Sequence, residues 1–392
     1  MIKSGKNICI ITGSRADYDL LKPVIKGLSK IKKFNVKTII TGSHFIQFQT
    51  SINTIKKDRI KIFREIKVPY KNDTNSTILK SISLGIEKFD EIFKKNKFDL
   101  LIVLGDRYEI FSAVVSASFY RIPIAHLSGG EVTEGAIDES IRHSITKFST
   151  FHFVNNQVYL KRIKQLGENP KNIFHVGSTT VENVNKEKLY SRKDLEKKLN
   201  FDFKQENYLI TFHPVTFQED YGLRDFKTIL NYFEKRKNIG IIFTIPNSDT
   251  KNFFISKMIK KFIKKNKNSK YYGSLGRIKY FSVIKNVDAV IGNSSSGLSE
   301  VPSLKKPTIN IGTRQKGRLR SKSVIDIKKV TSKNFKNSLK KIKNKKFLRL
   351  VNSSRNPYFK SNTTKNILKI IKNLNLKKVN QKKFFDIRGN FK

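Results

Sequence analysis

Short apolar runs alternate with longer amphipathic stretches along most of the chain. The runs at 7–12, 36–41, 99–104 and 122–127 are apolar at consecutive rather than alternate positions, as in strands buried on both faces. Runs at 151–155 and 173–176 continue the series, and stretches of helical length (19–32, 77–95, 108–120, 138–148) lie between them. Such alternation predicts a parallel, doubly wound α/β sheet. A Lys-rich stretch, 187–206, interrupts the pattern before a second series at 208–213, 239–245, 271–274, 288–292, 308–311 and 324–327. The expected architecture is α/β: two Rossmann-like domains, 1–185 and 206–375, with a cleft between them. C-terminal helices (334–345 and 364–374) and a mobile basic tail at 376–392 complete it. Loops at the carboxyl ends of the strands are then where chemistry is expected.

Composition changes this picture in one respect. The 392 residues carry 80 Lys and Arg against 31 Asp and Glu, a formal net charge of +49. That excess raises the prospect of a polyanionic partner, nucleic acid or an acidic surface. Against this, 63 of the cations are Lys, Asn and Ile are abundant and Trp is absent, the signature of compositional drift. The single cysteine, Cys9, excludes a disulfide framework and a cysteine zinc site, and it sits in an apolar run as a small buried hydrophobe would. No stretch reaches 18 apolar residues, and a strand pattern begins within a few residues of Met1. These features predict a cytoplasmic protein with neither a membrane span nor a signal peptide.

Polar residues gather where the predicted strands stop. The first ends in GSRADY (13–18), a glycine turn into a helix whose free N–H groups and Arg15 suit an anion, or a plain strand–helix turn. The second ends in TGSH, bringing His44, and the third in GDRYE, bringing Asp106 and Arg107. After the fourth comes GGEVTEGAIDESIRHSITK (129–147), with four acids within nine residues in an acid-poor chain. Asp138 and Glu139 open a helix, where they offset its dipole, and Arg142 lies one turn on. Capping does not account for Glu131 in a glycine-rich loop. In the second series, TFHPVT brings His213, and GNSSSGLSEVP brings Ser294, Ser295 and Glu300. NIGTRQKGR adds Arg314. Hydroxyls and N–H groups at a helix start suit a diphosphate, while a carboxylate a turn later can accept from ribose hydroxyls. No metal-ligand spacing, nucleophile elbow or dinucleotide fingerprint occurs, so acid–base chemistry on a nucleotide-linked substrate fits best.

These seven motifs, in this order, resemble the hydrolysing UDP-N-acetylglucosamine 2-epimerases of sialic-acid synthesis. They also resemble the relatives that act on UDP-N,N'-diacetylbacillosamine in legionaminic-acid synthesis. The resemblance spans about residues 6–375 and implies a GT-B arrangement. It implies loss of UDP from the anomeric carbon as the carbon-2 proton is removed, then hydration to a free sugar inverted at carbon 2. No cofactor and no metal are implied. Matched by motif, Asp106, Asp138 and His213 stand at positions implicated in catalysis. Arg15, Ser294, Ser295, Glu300 and Arg314 stand at nucleotide-binding positions, with His44, Arg107 and Arg142 as further site residues. One departure matters. Many members read HxEGGE where this chain has Ser128, so the acid–base work falls either to Glu131 or to Asp106, Asp138 and Glu139. Partner expectations are a UDP-amino-sugar, no nucleic acid and no membrane, with a homo-oligomer allowed. A GT-B glycosyltransferase, which would require an acceptor, and a basic nucleic-acid- or surface-binding protein are the competing readings. Choice of sugar is expected to rest on residues such as Gln47, Glu109 or Phe217.

Overall fold

The computed structural model describes residues 5–45, 50–68, 74–184, 187–244, 252–273, 275–376 and 382–387. Two parallel sheets organise them. The first uses β1 (Lys6–Thr12), β2 (Phe34–Thr41), β3 (Ile62–Ile66), β4 (Leu100–Leu104), β5 (Ile124–Leu127), β6 (Phe151–Val154) and β7 (Ile173–His175). Their order is β3-β2-β1-β4-β5-β6-β7. The second uses β8 (Glu206–Thr211), β9 (Ile239–Thr244), β10 (Ser269–Tyr272), β11 (Ala289–Gly292), β12 (Thr308–Ile311) and β13 (Val324–Ile327), in the order β10-β9-β8-β11-β12-β13. In each sheet the order reverses direction beside the first strand, at β1/β4 and at β8/β11. Ligands in doubly wound sheets bind outside the carboxyl ends at such a switch point.

The helices of the first half are α1 (Arg15–Ser29), α2 (Thr50–Lys57), α3 (Asn75–Lys95), α4 (Tyr108–Phe119), α5 (Asp138–Phe148), α6 (Gln157–Gln165) and α7 (Thr179–Val184). Those that follow are α8 (Arg192–Leu199), α9 (Leu223–Glu234), α10 (Asn252–Lys265), α11 (Gly276–Asn286) and α12 (Ser296–Ser299), then α13 (Ser332–Lys341), α14 (Lys345–Ser353) and α15 (Thr363–Asn373). Each sheet is covered on both faces. Ile8 and Ile10 belong to one apolar cluster and Cys9 and Ile11 to another, which is why β1 reads as a continuous apolar run. No described helix is long and apolar enough to cross a membrane.

Two compact units emerge: 1–131 with 138–182 and 360–392, and 132–137 with 183–359. This division differs from the expected 1–185, 206–375 and 376–392 in three places. The chain passes briefly into the second unit at Val132–Ile137. The stretch 187–206, expected to be a linker, contains α8 and packs Leu195 and Leu199 into the second unit's core. The last helix, α15, belongs to the first unit, because Ile367 and Ile371 join the core that α1 lines. Gly27 leaves the space that Leu368 occupies, and the Thr363 hydroxyl donates to the Val176 carbonyl at 2.9 Å. The expected mobile tail lies partly outside the described residues. Within it, Lys382 is paired with Glu168 at 2.7 Å and the Phe385 N–H donates to the Gly167 carbonyl at 2.8 Å.

Candidate active site

In the first unit, polar side chains gather at the carboxyl ends of β1, β2, β4 and β5. Asp106 follows β4 and its carboxylate accepts from Arg142 Nη2. Arg142 is 1% exposed on α5. Its Nη1 donates to Glu139 Oε2 at 3.1 Å and to the Glu131 carbonyl at 3.1 Å. The guanidinium fork thus fixes two carboxylates and the backbone of the glycine-rich loop together. Glu139 also accepts from His143 Nε2 at 3.0 Å. Asp138 opens α5 and is half-buried.

Glu131 is buried, and its Oε1 accepts from Asn155 Nδ2 at 2.7 Å. The same amide lies 3.2 Å from Ser128 Oγ. Ser128, at the position where a glutamate was anticipated, has φ +65° and so lies in the left-handed region. Asn155 therefore links the substituted position to the remaining loop acid. Glu134 departs from this group: it pairs with Lys316 at 2.6 Å within the second unit. The four acids that stand close in sequence are not one cluster in space.

Arg107 precedes α4 and grips Glu109 with two bonds, 3.1 and 3.0 Å. His44 is buried; its Nε2 lies 3.1 Å from Thr12 Oγ1 and its Nδ1 2.6 Å from Ser51 Oγ. Because Thr12 already donates to the Ser14 carbonyl at 3.1 Å, Nε2 carries the ring proton and Nδ1 accepts from Ser51. Burial and then the Arg107 charge push the His44 pKa down to about 3. It is a neutral brace between β1 and α2. His126 plays a similar part: Nε2 donates to the Gly105 carbonyl at 2.7 Å, holding the residue before Asp106. Burial outweighs that bond and lowers its pKa to about 3. Arg15 is the first residue of α1 and is half-buried; Ser14 caps the helix by accepting from the Asp17 N–H at 3.1 Å.

In the second unit, His213 follows β8 and Asn293 follows β11. Gly292 has φ +135°, and a Cβ there would fall 1.9 Å from the Thr211 carbonyl, so only glycine lets the two strands end this closely. Asn293 uses both ends of its amide on the His213 backbone: Oδ1 accepts from His213 N at 2.7 Å and Nδ2 donates to His213 O at 2.8 Å. The Asn293 carbonyl accepts from Gln315 Nε2 at 2.9 Å, with Arg314 Nη1 at 3.5 Å. Ser294 and Ser295 are half-buried just before α12. Glu300 bonds the Ser299 hydroxyl, and its pKa is raised because it is shielded from solvent, an effect Ser299 opposes. Tyr280 donates to Ser296 Oγ at 2.7 Å beneath them. The second unit thus gathers His213, Ser294, Ser295, Glu300 and Arg314 at the ends of β8, β11 and β12.

Sequence reasoning omitted Asn155, Gln315, Tyr280 and Asp17 from the candidate residues. Asn155 and Gln315 lie just beyond β6 and β12, so strand-end position was the available signal. Tyr280 lies inside a helix and gave none. Gln47 lies outside the described residues.

Residues 26–372 match the family described as UDP-N-acetylglucosamine 2-epimerase. The chain is 40% identical over 347 residues to the GDP/UDP-N,N'-diacetylbacillosamine 2-epimerase (hydrolyzing) of Campylobacter jejuni, covering 85% of this chain and 89% of that one. It is 37% identical to the polysialic acid biosynthesis protein P7 of Escherichia coli, covering 97% and 98%. In fold it resembles the Neisseria meningitidis UDP-GlcNAc 2-epimerase crystallised with UDP-GlcNAc, with TM-score 0.78, 16% identity and coverage of 93% and 99%. The order of motifs, the two doubly wound sheets and these matches agree: the chain belongs to the UDP-N-acetylglucosamine 2-epimerase family.

Proposed function

We propose that this chain is a hydrolysing 2-epimerase that converts UDP-N-acetylglucosamine to N-acetylmannosamine and UDP. The observation that carries the reading is the buried Arg142 fork, which holds Asp106 and Glu139 on one cation beside the Glu131 loop. Epimerisation through elimination and hydration requires a group that takes the carbon-2 proton and another that delivers a solvent-derived proton to the opposite face as water adds at carbon 1. Asp106, Glu131 and Asp138 are the acids we assign to that work. Arg142 positions Asp106 through the hydrogen bond from its Nη2. His213 is the proton-transfer candidate of the second unit, its backbone fixed by Asn293. Ser294, Ser295, Glu300 and Arg314 are assigned to the ribose and diphosphate, with Arg15 and Arg107 as the first unit's cations. We assign His44 a supporting role, bracing Thr12 and Ser51 beside the site.

A second reading keeps the reaction and changes the sugar to UDP-N,N'-diacetylbacillosamine. It is supported by the names of relatives at 40% and 32% identity. Neither reading requires nucleic acid, and the free thiol of Cys9 suits a cytoplasmic setting. The experiment is incubation of purified protein with each UDP sugar in the absence of any acceptor. Release of UDP with a free manno-configured sugar supports the proposal, and the faster substrate decides between the sugars. Release that depends on an added acceptor would identify a glycosyltransferase instead.

A further inference from the structure

Asp17 has no place in the assignments above, yet its surroundings are unusual. It lies in the first turn of α1 and is 9% exposed. Its Oδ2 is buried with no hydrogen-bond partner among the described residues. That oxygen lies 3.6 Å from where a Cβ on Gly13 would stand, so it sits against the glycine that ends β1. The Arg107 charge acts on it, while the Arg107 Nε and Nη2 donate to Glu109. Asp106 faces it too and is engaged by Arg142. Of these three carboxylates, Asp17 is the one with a buried oxygen that has no partner among the described residues.

Buried polar atoms are almost always paired, and leaving one unpaired costs free energy that a bound ligand can recover. The atom that meets Oδ2 must be a donor or share a proton with it. A diphosphate oxygen is an acceptor and would repel an ionised carboxylate, whereas a sugar hydroxyl or acetamido N–H is a donor. We propose that Asp17 is a sugar-contacting residue, whose Oδ2 hydrogen-bonds a hydroxyl or amide of the amino-sugar ring. This rests on the epimerase reading.

Its titration follows from the same surroundings. Burial pushes the Asp17 pKa up to about 6; Arg107 and the Ser14 hydroxyl oppose the rise, and Glu109 and Asp106 add to it. The proton is therefore gained and lost within the working range of an enzyme. Asparagine at this position removes that titration while keeping the shape.

The test compares wild type with Asp17→Asn and Asp17→Ala on the UDP sugar that wild type turns over. It reads kcat/KM against pH, competitive inhibition by UDP, and Tm at pH 7.5. The expected result is at least a tenfold loss of kcat/KM, UDP inhibition within twofold of wild type, and loss of the limb near pH 6. Asp17→Asn should also leave Tm unchanged or higher, since it removes a buried charge. Turnover within twofold of wild type in both variants would overturn the proposal. So would UDP inhibition weakened as much as turnover, or a Tm that falls in step with activity. Wild-type protein that turns over neither sugar would instead overturn the epimerase reading itself.

Discussion

Arg142 on α5 reaches the Asp106 carboxylate at the end of β4 from a position that is 1% exposed. The pair joins the fourth strand's terminus to the helix after the glycine-rich loop. Stripping one partner from a buried ion pair leaves the other charge uncompensated, at a cost of about 3–5 kcal/mol. Arg142→Ala leaves two partly exposed carboxylates, so it is expected to lower stability in urea unfolding by less than about 3–5 kcal/mol. Asp106→Asn keeps the shape and should lose at least 100-fold in kcat while binding UDP within twofold of wild type. An Asp106→Asn protein with near wild-type turnover would remove this residue from the mechanism.

Asn155 gives the second prediction. Its amide donates to Glu131 Oε1 at 2.7 Å and contacts Ser128. Asn155→Ala leaves Glu131 buried without that donor, which costs on the order of 1–3 kcal/mol. If Glu131 carries acid–base work, the variant should shift the pH profile of kcat as well as its height. Loss of stability with an unchanged profile would mark Asn155 and Glu131 as structural.

A third prediction concerns the second unit. Asn293 grips both backbone groups of His213. His213→Ala should lose turnover and retain UDP binding in calorimetry. Asn293→Ala should lower both, because the same residue leads into Ser294 and receives Gln315. Equal loss of UDP binding in both variants would move His213 from chemistry to nucleotide binding.

Three buried groups contribute to how stability depends on pH. His44 and His126 are neutral in the fold, with pKa values of about 3. Against about 6.5 in the unfolded chain, they make stability fall as pH drops through that window. Asp17 runs the other way: raised to about 6, it favours the fold at low pH and loses that contribution as pH rises. Between about pH 4 and 6 it cancels one histidine, and its contribution to the slope is about 1.4 kcal/mol per pH unit. Asp17→Asn should therefore steepen the acid loss of stability by about that amount per unit. A slope identical to wild type would mean that Asp17 is ionised throughout this range.

Much of the fold was legible because buried parallel strands are continuous apolar runs. The runs at 308–311 and 324–327 correspond to Thr308–Ile311 and Val324–Ile327 without adjustment. Ile62–Ile66 was overlooked because it is an edge strand with Arg64 and Glu65 exposed, so its pattern resembles a loop. The helix Thr363–Asn373 was seen, but its partner was not: nothing local says that Ile367 packs beside α1 rather than on the nearer sheet. The site shows the same limit. Strand-end motifs identified Asp106, His213 and Arg314 as candidates, since position at a carboxyl end is a local property. Crowding of acids in 131–139 was a poorer guide, because Glu134 turns to Lys316 while Glu139 turns to Arg142. Only three-dimensional packing shows that Asp17 has an oxygen left over.

The central claim is elimination and hydration across carbons 1 and 2 of a UDP-amino sugar. Reaction in D2O, followed by proton NMR with UDP-N-acetylglucosamine and UDP-N,N'-diacetylbacillosamine in parallel, tests it most directly. At least one substrate is expected to yield UDP and a free sugar inverted at carbon 2, with one solvent deuterium at that carbon. A free sugar of unchanged configuration that retains its carbon-2 proton, or no UDP from either substrate, would contradict it.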